Sequence, residues 1–117
     1  MRAWVNNVTI DCRDPNAVAA FYAALLDRPV IWEAGVWVVV GRTVANEPHL
    51  VFQRVSDPTP GKPKMHVDVH TDDLDAAIAR AVELGATRGD EVSEHGMTWH
   101  VMRDVEGNPF CLSQRAT

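Results

Sequence analysis

The chain has 117 residues, 46% of them apolar and 23% charged, with a formal net charge of −5. That size and balance describe one folded domain with a real core and exclude a disordered chain. The acidic balance argues against a nucleic-acid partner, which a basic patch would announce. The sequence also holds no run of apolar residues long enough to span a membrane.

The first twelve residues, MRAWVNNVTIDC, lack the apolar stretch of an export signal. Two cysteines without such a signal predict a reducing, cytoplasmic setting. Residues 5–26 predict a strand, an acidic cap and a short helix. Asp14 at the cap and Pro15 at the first helical position form a strong start signal, because the proline lacks an N–H that would be unpaired there anyway. Val18, Phe21, Tyr22 and Leu25 then recur at helical spacing and predict one buried stripe. Pro29 forbids continuation.

Residues 30–33, 36–40 and 49–55 are rich in β-branched and aromatic side chains and predict three strands. Gly35 and the stretch 41–48 separate them. The segment 56–63, SDPTPGKP, predicts a linker. Residues 64–85 repeat the opening pattern. The predicted helix starts near Asp72 or Asp73, carries Leu74, Ala77, Ile78, Ala81 and Val82 on its apolar face, and ends at Gly85, which suits a left-handed cap. Three more strands follow at 87–92, 97–102 and 109–113, with turns at 94–96 and 104–108.

The chain is therefore read as a duplication. Sliding 5–26 onto 64–85 places Val18 on Ala77, Tyr22 on Ala81, Leu25 on Leu84 and Asn7 on His66. Each copy runs strand, helix, then three strands, and two such modules in one domain (about 1–57 and 62–117) bound the fold tightly.

Four stretches, DPNAVAAFYAALL (14–26), HLVFQRV (49–55), KMHVDVHTDDLDAAIARAVELGA (64–86) and RDVEGNPFCL (103–112), resemble the vicinal oxygen chelate superfamily, the group of glyoxalase I, bleomycin-resistance proteins and extradiol dioxygenases. The usual D-P-x-G-N turn is here Asp104-Val105-Glu106-Gly107-Asn108, without the proline. The resemblance implies an α+β fold, two tandem βαβββ modules forming a curled mixed sheet around a cavity with the helices outside. It also implies a homodimer. In metal-using members four inward residues, from the first and fourth strand of each module, hold a divalent ion. The matching positions here are Asn7, Gln53, His66 and Cys111.

Amide oxygens are weak ligands for a transition metal, so this mixed set predicts neither a tightly held metal nor any other cofactor. His66, Asp68 and His70 alternate along one strand and share a face, but successive same-face residues lie about 7 Å apart, too far to share an ion unless the strand bends. An unperturbed imidazole has a pKa near neutrality, so His66 is the candidate acid, base or hydrogen-bond donor. Its competing role is a hydrogen bond to Gln53 or Asp68 that orders the wall. Asp11 and Asp68 share the inward parity. Asp68 is the second catalytic candidate, since a buried carboxylate must be paired or hold its proton, whereas Asp11 reads as a strand-end residue reaching solvent. Met65, Val67 and Val69 are expected under a helix.

Cys111 takes the inward parity and Cys12 the outward one, which opposes a disulfide. A reactive Cys111 would need a base such as His66, and a buried, inert thiol is the commoner case. Of the four tryptophans (Trp4, Trp32, Trp37, Trp99), Trp37 and Trp99 are assigned to the cavity wall, with His100 facing away from Trp99. The expected ligand contacts are Asn7, Gln53, His66, Asp68, Trp37, Trp99 and Cys111. Two functions follow: a metal-free protein that binds a small organic molecule, as bleomycin-resistance members do, or a divalent-metal-dependent glyoxalase-like lyase, isomerase or dioxygenase.

Overall fold

The computed structural model describes residues 1–56, 65–94 and 96–115. Of the expected linker, only Ser56 falls inside these limits. The elements run β1 (Ala3–Cys12), α1 (Pro15–Leu26), β2 (Val30–Ala34), β3 (Trp37–Val40), β4 (His49–Arg54), β5 (Met65–Thr71), α2 (Leu74–Glu83), β6 (Thr87–Glu94), β7 (Met97–Arg103) and β8 (Pro109–Gln114). Every predicted strand and both helices are present, and each module is βαβββ. No helix among the described residues is long and apolar enough to cross a membrane.

Local chemistry sets the helix ends. The Asp14 carboxylate accepts the Ala17 N–H at 3.2 Å and the Asp73 carboxylate accepts the Ala76 N–H at 3.1 Å, each satisfying a donor that the first turn leaves unpaired. α1 ends at Asp27, which adopts the left-handed conformation at φ 54° just before Pro29. Beyond α2, Gly85 takes φ 114° and the Ala86 N–H returns to the Ala81 carbonyl at 2.9 Å, a glycine-based stop.

The strands hydrogen-bond in the order β2-β3-β4-β1-β5-β8-β7-β6, an eight-stranded mixed sheet. β1 pairs parallel with β4, and β5 parallel with β8. The pairs β2/β3, β3/β4, β6/β7 and β7/β8 are antiparallel. The chain divides into two compact units, one of residues 7–65 and one of residues 1–6 with 66–117. The first six residues are tied into the second of these by polar contacts at the end of β5. Thr71, fully buried, donates its hydroxyl to the Arg2 carbonyl at 2.8 Å, and the Asp72 carboxylate accepts the Arg2 N–H at 2.8 Å.

In the unit of residues 7–65, α1 packs on one sheet face through Ala19, with Val18, Tyr22 and Ala23, against Val38, Val40, Phe52, Ile10 and Leu50. Tyr22 stacks on Phe52 with ring centroids 5.4 Å apart. Burying a phenyl ring such as that of Phe52 contributes about 1.5–3 kcal/mol. The stripe predicted for α1 is rotated in the structure: Phe21 and Leu25 are 60% and 66% exposed, and Ala19 takes the centre. A small residue there lets the helix backbone approach the valines of β3, which a larger side chain would prevent.

In the other unit, α2 packs through Ala77, Ile78, Leu74 and Ala81 against Met102, Leu112, Val69 and Phe110. Val82, expected in that face, is exposed. Met65 and Val67, expected beneath the helix, are exposed too, and only Val69 joins the core. A ten-residue helix spans about 15 Å and falls short of the start of a strand about 20 Å long. The two edge strands differ. β6 carries Arg88, Asp90, Glu91 and Glu94, whereas β2 exposes Val30, Ile31 and Trp32.

Candidate functional site

In the unit of residues 1–6 and 66–117, Val69, Leu112 and Met102 point to α2. By the two-residue period of a strand, their neighbours His66, Asp68, His70, Cys111, Trp99 and Val101 take the opposite face. There β5 and β8 place Asp68 beside Cys111 in register, and β7 places Val101 beside Cys111. His66 Nε2 lies 3.4 Å from Asp68 Oδ1, with side chains 24% and 20% exposed. One donor atom from each of His66, Asp68 and Cys111 falls within 4.8 Å of the others. Burial pushes the Cys111 thiol up to about 12, helped by the Asp68 charge and by its hydrogen bond to that carboxylate. The thiol is a proton donor here and not a nucleophile. His70 stands apart from the trio, edge-on to Trp4 at 6.3 Å between centroids.

The other unit arranges its polar face in the same way. Ile10, Phe52, Val38 and Val40 face α1, so Thr9, Asp11, Gln53, Trp37 and Asn7 share the helix-free face. Trp37 and Gln53 are register partners, and the indole N–H donates to Gln53 Oε1 at 3.2 Å. Trp37 is buried and stacks with Trp32 at 6.2 Å. Asn7, also buried, donates its amide to the Thr9 hydroxyl at 3.0 Å. Gln53 lies beside Asp11 in register, while Asn7 lies beside His49, so Asn7 and Gln53 are separated by about 13 Å of strand.

The four family-matched positions therefore do not form a uniform donor set. Within one module, Cys111 sits two residues along from the register position of His66. Within the other, Gln53 sits four along from that of Asn7. Gln53 Oε1, the atom a metal would need, already accepts the indole proton. A glutamine whose amide oxygen is so committed does not fit the divalent ion of the metal-using relatives. The two cysteines are free thiols. Cys12 lies on the α1 side, its thiol held up by burial and by the charges of Asp11 and Asp14.

Two further residues complete this picture. Thr9, 3% exposed, holds the Asn7 amide, and its shared parity with Asn7 is the sequence signal for it. Arg28, 8% exposed, donates Nε to the Gly41 carbonyl at 2.7 Å and Nη2 to the Pro48 carbonyl at 2.8 Å, with Glu47 at 3.4 Å. It fixes the loop ahead of β4, and because its hydrogen-bond acceptors are backbone atoms, no motif marks it. The recess between α2 and β6, lined by Asp75, Ile78, Ala79, Val82 and Arg88, is on the helix side of the sheet, away from His66 and Asp68.

Comparison with known proteins agrees with this architecture. The model of the glyoxalase-like domain matches residues 7–113. No curated protein matches the sequence. Among solved structures, a hypothetical protein from Bacillus halodurans C-125 superimposes with a TM-score of 0.76 at 12% identity, covering 100% of this chain and 97% of that one. Methylmalonyl-CoA epimerase from Mycobacterium tuberculosis gives 0.74 at 13% identity, covering 97% and 89%. A glyoxalase/bleomycin resistance protein/dioxygenase superfamily member from Vibrio splendidus 12B01 gives 0.65 at 14%, covering 97% and 98%. At these identities the likeness concerns the fold. With the family model spanning nearly the whole chain, two βαβββ modules in the expected order and a polar, helix-free sheet face in each, the chain belongs to the glyoxalase-like domain family of the vicinal oxygen chelate superfamily.

Proposed function

We propose that this protein binds a small, partly aromatic organic molecule, with His66 and Asp68 as its orienting polar groups and without a metal held by Asn7, Gln53, His66 and Cys111. The observation that carries the reading is the half-buried His66–Asp68 pair, 3.4 Å apart, on the helix-free face of its module. An imidazole beside a carboxylate presents a donor and an acceptor at one point, and partial burial strengthens both. Trp99 on the same face offers an apolar wall. Such sites gain affinity from apolar burial and orientation from a few polar groups. The Gln53 amide oxygen, committed to the Trp37 indole, weighs against the metal-dependent lyase, isomerase or dioxygenase reading.

The same reading places the protein in the reducing cytoplasm, supported by its two free thiols, and makes it a homodimer, supported by the exposed apolar side chains of the β2 edge. The test is a ligand screen followed by intrinsic tryptophan fluorescence. For any molecule bound, His66→Ala is expected to weaken affinity by about 1–3 kcal/mol, with the far-UV circular dichroism unchanged. Equal affinity in the variant would defeat the assignment of His66.

A further inference from the structure

We propose that His66, Asp68 and Cys111 form a three-donor site for a thiophilic divalent cation of the zinc class, contained within the second module. The site would therefore differ from the four-position set that spans both modules in metal-using relatives. Three donors of three kinds (imidazole nitrogen, carboxylate oxygen and thiol sulfur) come within 4.8 Å of one another. The 3.4 Å between His66 Nε2 and Asp68 Oδ1 equals the edge of a tetrahedron whose bonds are about 2.1 Å, the usual length for zinc with nitrogen and oxygen. Asp68 and Cys111 are register partners on adjacent strands, so the backbone itself holds them side by side.

The donor set selects the cation. Magnesium and calcium demand oxygen ligands and have one here. A borderline-soft ion accepts nitrogen, oxygen and sulfur together. Binding replaces the S–H bond of Cys111 with a sulfur–metal bond and releases the proton to solvent, with no change of oxidation state. A carboxylate and a thiolate then balance the two positive charges, which suits a partly buried position. Three protein donors leave one position open, as in sites that bind water or a ligand atom. The inference is independent of which organic molecule the protein takes.

Cobalt(II) tests it, because a cobalt–thiolate bond produces a near-ultraviolet charge-transfer band that other cobalt sites lack. The full chain, stripped with a chelator, is titrated with cobalt(II). The expected result is a band saturating at one equivalent and abolished by excess zinc(II). Cys111→Ser should remove it and Cys12→Ser should not. Asp68→Asn and His66→Ala should each weaken cobalt affinity by at least about tenfold. Asn7→Ala and Gln53→Ala should leave it unchanged. No band in the parent chain overturns the proposal. So does a cobalt affinity that Asp68→Asn leaves unchanged, or a band that follows Asn7, Gln53 or Cys12.

Discussion

Replacing Arg28 by Ala removes the donor from the Gly41 and Pro48 carbonyls and the guanidinium from beside Glu47. Buried carbonyls without donors cost on the order of 1–3 kcal/mol, and urea unfolding of Arg28→Ala should show a loss of that size. Arg28→Lys should recover only part, since an ammonium cannot reproduce the guanidinium fork. Cys111 gives a prediction of opposite character. Its thiol stands at about 12 in the fold against an ordinary value of 9.0. The protonated fold is therefore favoured with full effect below pH 9, and the advantage is lost as pH rises from 9 toward 12, where the unfolded chain ionises first. With chelator present, Cys111→Ser should show a shallower alkaline decline in stability than the parent chain. At this scale the sequence revealed which residues share a face, because parity needs only the strand. It did not reveal that Asp68 is the neighbour of Cys111, because that pairing depends on how the chain turns between strands far apart in sequence.

The turn 104–108 is built around the Asp104 carboxylate. Asp104 Oδ1 accepts the N–H groups of Glu106 and Asn108, each at 2.9 Å, Oδ2 accepts the Asn108 amide at 3.1 Å, and Gly107 supplies φ 87°. The backbone N–H groups of Asn108 and Glu106 hold the Asp104 carboxyl below its ordinary value, so its contribution to stability is present above the usual carboxylate range and is lost on acidification through it. Asp104→Ala should lower the thermal midpoint at pH 7 and leave a weaker acid dependence than the parent. The helices were legible in their limits, since caps and prolines are local signals. The face of α1 was not, because Val18, Phe21, Tyr22 and Leu25 satisfy helical spacing equally well. Only the tight approach to Val38 and Val40 chooses Ala19 over the larger side chains.

For the molecule as a whole, the internal duplication was the most legible property, because two strand–helix patterns can be superimposed without knowing how either packs. The strand order within each module is not written in periodicity. It required coordinates. Unequal chemistry in the two copies was visible as residue types, ionisable groups in one and amides in the other, but their hydrogen-bond commitments required coordinates. The proposed homodimer is tested at the β2 edge. Ile31→Lys, at a position 54% exposed, should shift sedimentation toward the monomer, and an unchanged distribution would place the contact elsewhere. The unlike edges of the sheet also bear on how far any such pairing can proceed. A copy joined through β2 has used the apolar edge strand seen among the described residues, and β6 presents Asp90, Glu91 and Glu94 against a single Arg88, a border that repels its own kind. If the proposed β2 pairing forms, assembly should end at two, and neutralising the acidic border should let the pair grow into a fibre.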